Sequence, residues 1–127
     1  MEPASPQLLY CHCQYAQVVP REVKEGVLKR LCEEGIPFQA VADLCEMSAR
    51  KDPTLARLAA GGSVKIAACF PRAVKWLFAA GGAPLPLDGA EVLNMRTQSA
   101  AEVGAGMLSP SLTPNLPRGK VTLAAVA

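Results

Sequence analysis

Short apolar segments alternate with helical patterns along most of this chain, and this alternation constrains the fold more than any other feature. Four segments have the length and apolar character of strands, and they span residues 7–10, 37–44, 63–68 and 91–95. Alternation of strands and helices at this spacing is typical of βαβ units. The sequence therefore predicts an α/β domain of three layers, in which helices flank a mostly parallel, four-stranded sheet.

Proline and glycine mark the expected helix boundaries. The first predicted helix begins at Pro20, which suits a first helical position, and ends at Gly35, which suits a left-handed cap. Two further helices are expected to begin at Asp52-Pro53 and at Pro71, and each of them ends at a pair of glycines. Each predicted helix thus begins and ends at a residue that favours the boundary.

Composition divides the 127 residues into three parts. Residues 1–6 form a short lead, residues 7–96 form the α/β domain that carries the cysteines, and residues 97–127 are rich in Pro, Ser and Gly. The last part is expected to be an extended tail. Its final apolar segment, 120–126, is expected to dock as a strand or against a partner, which offers a route to oligomers.

Charge and hydropathy exclude two classes of partner. The formal net charge is +2, and acidic and basic residues are interspersed, so the basic stripe of a nucleic-acid-binding protein is missing. The sequence contains no apolar run of about 18 residues, which a membrane-spanning helix needs, and its N-terminus lacks the pattern of a signal peptide. We therefore expect a cytoplasmic protein without a nucleic-acid partner or a membrane span.

The chain contains five cysteines, an odd number, in a protein expected to remain in a reducing compartment. Disulfides seldom persist there, so metal ligation, thiol chemistry or simple burial are the expected uses. Cys32 lies one helical turn after Leu28 on the apolar face of the first predicted helix. Free cysteine often behaves as a small buried hydrophobe, and we expect Cys32 to belong to the core.

The other four cysteines follow predicted strands, and they are Cys11, Cys13, Cys45 and Cys69. Because parallel strands end at the same edge of a sheet, these thiols are expected to meet there. Four thiolates suit either an iron–sulfur cluster or a tetrahedral zinc ion. The alternative is that unrelated cysteines happen to follow strands. Asp43 and Glu46 flank Cys45, where they would add negative charge near the site. The alternative, which we favour, is that both are solvated.

His12 and Arg72 are the candidates for supporting roles around these thiols. His12 lies between two candidate ligands, but neighbouring residues of a strand face opposite sides, so we expect it to face away from Cys11. Arg72 lies in the first turn of the helix that follows Cys69. There its charge would offset that of thiolates and raise the reduction potential of a cluster. The alternative for Arg72 is an ordinary solvated arginine.

Three motifs of the chain resemble one known family, the N-terminal iron–sulfur domain of A-type heterodisulfide reductase proteins. They are Tyr10-Cys11-His12-Cys13, Ala68-Cys69-Phe70-Pro71-Arg72 and Asn94-Met95-Arg96. The resemblance covers about residues 7–103 and implies a small α/β domain that carries a [4Fe-4S] cluster on Cys11, Cys13, Cys45 and Cys69 beside a flavoprotein. The family's glycine-rich continuation is replaced by Gln14-Tyr15-Ala16-Gln17, and no flavin-binding motif occurs in these residues, so flavin chemistry is not implied.

These observations lead to three functional hypotheses. The first is an electron-transfer protein, or a small subunit of a redox complex, that holds one [4Fe-4S] cluster and exchanges electrons with a flavoprotein or another iron–sulfur subunit. Such a protein is not an enzyme alone but an accessory subunit of an oxidoreductase complex. The second is an interaction module stabilised by Zn²⁺. The third is a thiol-based sulfur carrier, with Cys11 or Cys69 as its nucleophile.

Overall fold

The structure is a computed structural model, and it describes residues 6–12 and 19–117. Strands and helices alternate through most of these residues. In chain order they are β1 (Gln7–Cys11), α1 (Arg21–Glu34), β2 (Gln39–Val41), α2 (Leu44–Arg50), α3 (Pro53–Ala60), β3 (Val64–Ala68), α4 (Pro71–Ala80), β4 (Ala90–Asn94) and α5 (Ala100–Leu108).

The four strands form one sheet in the order β2-β1-β3-β4, and all neighbouring strands are parallel. Leu9 of β1 lies beside Gln39 of β2 on one side and Ile66 of β3 on the other. The predicted α/β fold is confirmed, and the sheet is parallel throughout. The two central strands of the sheet are β1 and β3. From β1 the chain passes to β2 at one edge, and from β3 it passes to β4 at the opposite edge, so the direction of strand addition reverses between β1 and β3.

Helices cover both faces of the sheet. On one face α1 packs against α5, and the hydroxyl of Tyr10 donates a hydrogen bond to the carbonyl of Lys24. On the other face α2 packs against α4, and the hydroxyl of Ser48 donates to the carbonyl of Leu77. The layers enclose a core of mainly aliphatic side chains. Among the described residues, no helix combines the length and apolar character that crossing a membrane requires.

The helix boundaries predicted from proline and glycine are confirmed. Gly35 ends α1 with φ 68°, a left-handed conformation that glycine adopts without steric cost, and its N–H donates to the carbonyl of Cys32. Asp52 caps α3, because its carboxylate accepts a hydrogen bond from the N–H of Thr54 at 2.9 Å. Pro71 is the first residue of α4. Pro20 occupies the position just before α1.

The second strand is shorter than predicted. The expected strand 37–44 is wrong in its second half, because Asp43 begins a helix there: its carboxylate accepts a hydrogen bond from the N–H of Glu46 at 3.2 Å. This cap starts α2 at Leu44, and β2 ends at Val41. Cys45 therefore lies in the first turn of a helix and not at the end of a strand.

A helix lies within the stretch that was predicted to be an extended tail. Ser99 and Glu102 form a capping box, in which the Ser99 hydroxyl accepts from the N–H of Glu102 and the Glu102 carboxylate accepts from the N–H of Ser99. The resulting α5 buries Val103 and Met107. The expectation that the whole of residues 97–127 is extended is thus wrong for residues 100–108. The apolar segment 120–126 lies outside the described residues.

The chain after α5 runs along the outer edge of β4. The side-chain amide of Asn115 accepts a hydrogen bond from the N–H of Val92 and donates one to its carbonyl, at 2.8 and 2.7 Å. The side chain of Asn115 thus makes the two hydrogen bonds to Val92 that a neighbouring strand would make. The pairing satisfies backbone groups that an edge strand would otherwise expose. Leu116, which follows, is buried, so residues 109–117 belong to the packed domain.

A buried lysine ties this segment to the sheet. Lys65 is the second residue of β3 and is 1% exposed. Its Nζ atom donates hydrogen bonds to the carbonyls of Gly106 and Ser109, both at 2.7 Å, and lies 3.8 Å from the Glu91 carboxylate. These carbonyls are at the C-terminal end of α5, where positive charge is favourable. Lys65 thus fixes the end of α5 on the sheet.

Candidate metal centre

Three of the four predicted ligands line one cavity at the carboxyl edge of the sheet. Cys11 is the last residue of β1, Cys69 follows β3, and Cys45 lies in the first turn of α2; together they line a cavity of about 190 Å³. The cavity lies where the strand order reverses, which is where ligands bind in open α/β sheets. The structure thus brings together cysteines from distant parts of the chain. The fourth, Cys13, lies outside the described residues.

Backbone N–H groups favour negative charge on two of the three sulfur atoms. Cys11 is 2% exposed, and its Sγ atom accepts a hydrogen bond from the N–H of Leu44 at 3.4 Å. Cys69 is half-buried, and, against the effect of burial, the backbone N–H of Phe70 acts to lower the pKa of its thiol. Hydrogen bonds of this kind favour the thiolate over the thiol. Both sulfurs therefore lie in surroundings that suit a metal-bound thiolate.

In the metal-free protein, partial burial of the sulfur raises the pKa of the Cys45 thiol, although the residue as a whole is exposed, and the nearby charge of Asp43 adds to the effect. Burial also raises the pKa of Cys69, although the Phe70 N–H and the charge of Arg96 oppose that shift. A raised pKa means that both thiols stay protonated at neutral pH. A metal would have to displace these protons, so binding is expected to strengthen as the pH rises.

The remaining walls of the cavity are mostly apolar and include Leu44, Val74 and Leu77. Two charged residues interrupt them, Asp43 and Arg96. The expectation that Asp43 is solvated is wrong, since it is 5% exposed; its side chain turns inward to cap α2, and, in addition to burial, its negative charge raises the pKa of the Cys45 thiol. Glu46, which was expected to be solvated as well, is exposed.

His12 faces away from the cavity, as the alternation of side chains along a strand predicts. Its ring is half-buried, and its Nδ1 atom lies 2.9 Å from the hydroxyl of Tyr10. Tyr10 in turn donates to Lys24 on α1, the helix on the opposite face of the sheet from α2 and α4. The structure therefore places His12 beside Tyr10 and not beside the sulfur of Cys11.

Arg72 does not reach the cysteine cavity. It is exposed and lines a neighbouring groove of about 430 Å³ together with Pro71, Asn115 and Pro117. The first turns of α4 direct Ala73, Val74 and Leu77 toward the cavity, which leaves Arg72 on the outer side of the helix.

Arg96 is the arginine that lines the cavity; from the sequence it entered only the Asn94-Met95-Arg96 motif, without a role at the thiols. It follows β4 by two residues, at the same edge of the sheet where Cys69 follows β3. Parallel strands bring together the charged residues beyond their ends just as they bring together cysteines. The rule that residues just beyond the ends of parallel strands lie close together would therefore have identified Arg96 from the sequence.

Cys32 is exposed, so the expectation that it belongs to the core is wrong. The buried stripe of α1 passes through Val27 and Leu31, four residues apart, while Leu28 is only half-buried. Cys32 follows Leu31 directly, and adjacent residues of a helix point about 100° apart. Cys32 thus lies beside the buried stripe and faces solvent, on a helix that covers the other face of the sheet.

The cavity offers three sulfur donors, the donor type that thiophilic metals prefer. Within residues 6–12 and 19–117, no three Cys, His, Asp or Glu side chains are grouped so as to hold a metal ion. The three cysteines nevertheless line one space of about 190 Å³, whereas a cavity that holds a single water molecule needs only about 10–15 Å³ by the same kind of measure. The space has room for more than one atom, although the three side chains do not form a metal-holding group as they stand. Cys13, two residues after Cys11 in the sequence, is the candidate for a fourth donor.

Comparisons with known proteins leave the family of this chain open. No family model matches the chain, and no curated protein or solved structure matches it significantly. The resemblance to the N-terminal domain of A-type heterodisulfide reductase proteins therefore stays a prediction from the motif residues. Any assignment of function rests on the geometry of the cavity and on the chemistry of the residues that line it.

Proposed function

We propose that this protein binds one [4Fe-4S] cluster through Cys11, Cys13, Cys45 and Cys69 and transfers electrons between protein partners. When bound, the cluster would supply one-electron chemistry. The partners would be redox proteins, such as a flavoprotein or another iron–sulfur protein, and the chain would serve as an accessory subunit of their complex, not as an enzyme alone. A cytoplasmic location belongs to the same proposal, since free cysteines are typical of a reducing compartment.

One observation carries the proposal. Cys11, Cys45 and Cys69 come from different segments of the chain, yet all three line the same cavity. Unrelated cysteines would have no reason to meet at the position where α/β sheets bind their ligands. Cys13 is two residues from Cys11 in the sequence, and two residues span at most about 7 Å, so the connectivity of the chain allows Cys13 to supply the fourth thiolate.

The residues around the sulfurs suit an electron carrier in three respects. The N–H groups of Leu44 and Phe70 stabilise negative charge on sulfur. The apolar walls limit the access of water, which helps to set the potential of a buried cluster. Cys45 is exposed and Phe70 is 40% exposed, so a partner protein can approach the rim of the cavity closely.

The sulfur-carrier alternative receives less support. A nucleophilic cysteine needs a thiolate at neutral pH and therefore a lowered pKa. Burial instead raises the pKa of Cys69, one of the two candidate nucleophiles, and the other, Cys11, is only 2% exposed. In the metal-free protein these thiols would react slowly as nucleophiles. A metal that displaces their protons would still bind to the same sulfur atoms.

Replacement of single cysteines tests the proposal, with Cys32 as the matched control. We would reconstitute the full chain anaerobically with iron and sulfide and record its visible absorption. The wild type and Cys32→Ser are expected to develop the same brown chromophore, since Cys32 lies outside the cavity. Cys45→Ser and Cys69→Ser are expected to lose most of it. Equal chromophores in all four proteins would contradict the proposed ligands.

A further inference from the structure

Arg96 brings a positive charge to the wall of the cysteine cavity. Its guanidinium carbon lies 4.3 Å from the centre of the Phe70 ring, which is the geometry of a cation–π contact. Phe70 follows Cys69 directly in the chain and begins α4 as its N-cap residue. The residue whose ring contacts Arg96 is thus the direct chain neighbour of Cys69, one of the proposed ligands.

The backbone on the arginine's side of the contact is also fixed. The Oδ1 atom of Asn94 accepts a hydrogen bond from the N–H of Arg96 at 2.9 Å. The N–H of Asn94 donates to Oε1 of Gln98, also at 2.9 Å. These bonds hold the turn after β4, so Arg96 leaves the sheet in a defined direction. The contact with the Phe70 ring then holds the Arg96 side chain beside the cavity.

An aromatic ring holds a guanidinium group without cancelling its charge, because the ring has no net charge of its own. A carboxylate partner would neutralise it. The stack also accounts for Phe70 itself, a large apolar side chain that is 40% exposed at the rim of the cavity. Asp43 lies in the same wall with the opposite charge, but its carboxylate accepts a hydrogen bond from the N–H of Glu46.

We propose that Phe70 positions Arg96 so that its positive charge acts on the sulfur atoms of the cavity and favours the reduced state of the group they hold. Reduction adds one electron from a redox partner and therefore one negative charge, which a nearby positive charge stabilises. The effect on the reduced state rests on the proposed function. The effect on the sulfur atoms does not, and it can be measured without metal.

The first test uses metal-free protein in a Cys32→Ser background, so that the exposed thiol of α1 does not contribute. The rates of thiol modification are compared for a doubly negative reagent, dithiobis(nitrobenzoate), and a neutral one, iodoacetamide. Arg96→Gln is expected to lower the ratio of the two rates about threefold, because it removes the charge that attracts the anion. Arg72→Gln, which neutralises an arginine outside the cavity, is the control. Equal ratios in these two variants would overturn the inference.

The second test measures the midpoint potential of the cluster-loaded full chain. Arg96→Gln is expected to shift the equilibrium about tenfold toward the oxidised state, which corresponds to about 59 mV for one electron. Arg72→Gln should leave the potential unchanged, and Arg96→Lys should recover at least half of the shift because it keeps the charge. An Arg96→Gln protein with the wild-type potential, or one that loads no cluster while Arg72→Gln does, would overturn the inference.

A double-mutant cycle tests the positioning role of Phe70. Phe70→Leu is expected to lower the potential and the ratio of modification rates, by less than Arg96→Gln, because the arginine remains but is no longer held. In the Arg96→Gln background the same replacement should change neither quantity. Additive effects would mean that Phe70 acts independently of Arg96. If the wild type loads no cluster, the proposed function fails, and the modification rates alone decide whether Arg96 acts on the sulfurs.

Discussion

The backbone N–H of Leu44 donates a hydrogen bond to the Sγ atom of Cys11 at 3.4 Å. The two residues are 33 positions apart, and the bond joins the end of β1 to the first turn of α2. Asp43 makes this contact possible, since its cap starts α2 at Leu44 and directs that N–H toward the sheet. The sulfur of Cys11 is therefore both a proposed ligand and a structural acceptor.

Replacing Cys11 is expected to destabilise even the metal-free protein. Cys11→Ala removes the acceptor of the Leu44 N–H and leaves a small void, and we expect a loss of about 2 kcal/mol in the free energy of unfolding. Cys45→Ala, at an exposed position, is expected to change it by no more than about 0.5 kcal/mol. Denaturant unfolding under reducing, metal-free conditions measures both values. Equal losses would show that the bond to Leu44 contributes nothing.

The raised pKa values of Cys45 and Cys69 predict a dependence of stability on pH. Since the folded state holds these protons more tightly than the unfolded state, the stabilisation is complete below the ordinary thiol pKa, about 8.5. It is lost as the pH rises through the higher values of the folded protein. Denaturant unfolding of metal-free protein at about pH 8 and at about pH 10 should show this decrease.

The double variant Cys45→Ser/Cys69→Ser is the control for this pH dependence, because serine does not titrate in the range. Its free energy of unfolding should fall less between the two pH values than that of the wild type. A wild type and a double variant that fall equally would assign the pH dependence to other groups.

The capping box of α5 predicts a measurable role for Ser99. Ser99→Ala removes the hydroxyl that accepts from the N–H of Glu102, and we expect it to cost about 1 kcal/mol of stability. Ser111→Ala, at an exposed position beyond the helix, is the matched control and should cost less than about 0.5 kcal/mol. Thermal or denaturant unfolding distinguishes the two. A smaller loss for Ser99 than for Ser111 would contradict the role of the cap.

The buried lysine of β3 is expected to be more important to stability than any exposed lysine. Lys65→Met keeps much of the side-chain volume but leaves the carbonyls of Gly106 and Ser109 without their donor and Glu91 without its ion pair. We expect a loss of about 3 kcal/mol. Lys29→Met, on the exposed face of α1, should stay within about 0.5 kcal/mol. A wild-type free energy of unfolding in Lys65→Met would show that the network is dispensable.

The parts of the fold that local signals determine could be predicted from the sequence. Pro71 and Gly35 mark helix boundaries by their own backbone preferences, and the structure has boundaries at both. The meeting of Cys11 and Cys69 followed from parallel strands alone, because neighbouring parallel strands end at one edge. These inferences needed no knowledge of side-chain packing.

The elements that were missed depend on packing or on a competing local signal. The apolar run 37–44 suggested one strand, and only the cap formed by Asp43 decides that its end is helical. In α5 the glycines suggested a loop, but a Cβ atom on Gly106 would lie 2.9 Å from a methyl group of Leu93, so a small residue lets this helix approach β4. A lysine ordinarily faces solvent. The burial of Lys65 could not be predicted because the carbonyls that accept its hydrogen bonds belong to the end of a helix far along the chain.

Analysis of iron and acid-labile sulfide in anaerobically purified wild-type protein decides whether this chain holds a cluster. We predict about four iron and four sulfide per chain, together with a paramagnetic signal that appears on one-electron reduction. The Cys32→Ser protein should give the same values. A colourless protein that contains about one zinc per chain and no sulfide would contradict the proposed cluster and favour a zinc-stabilised module.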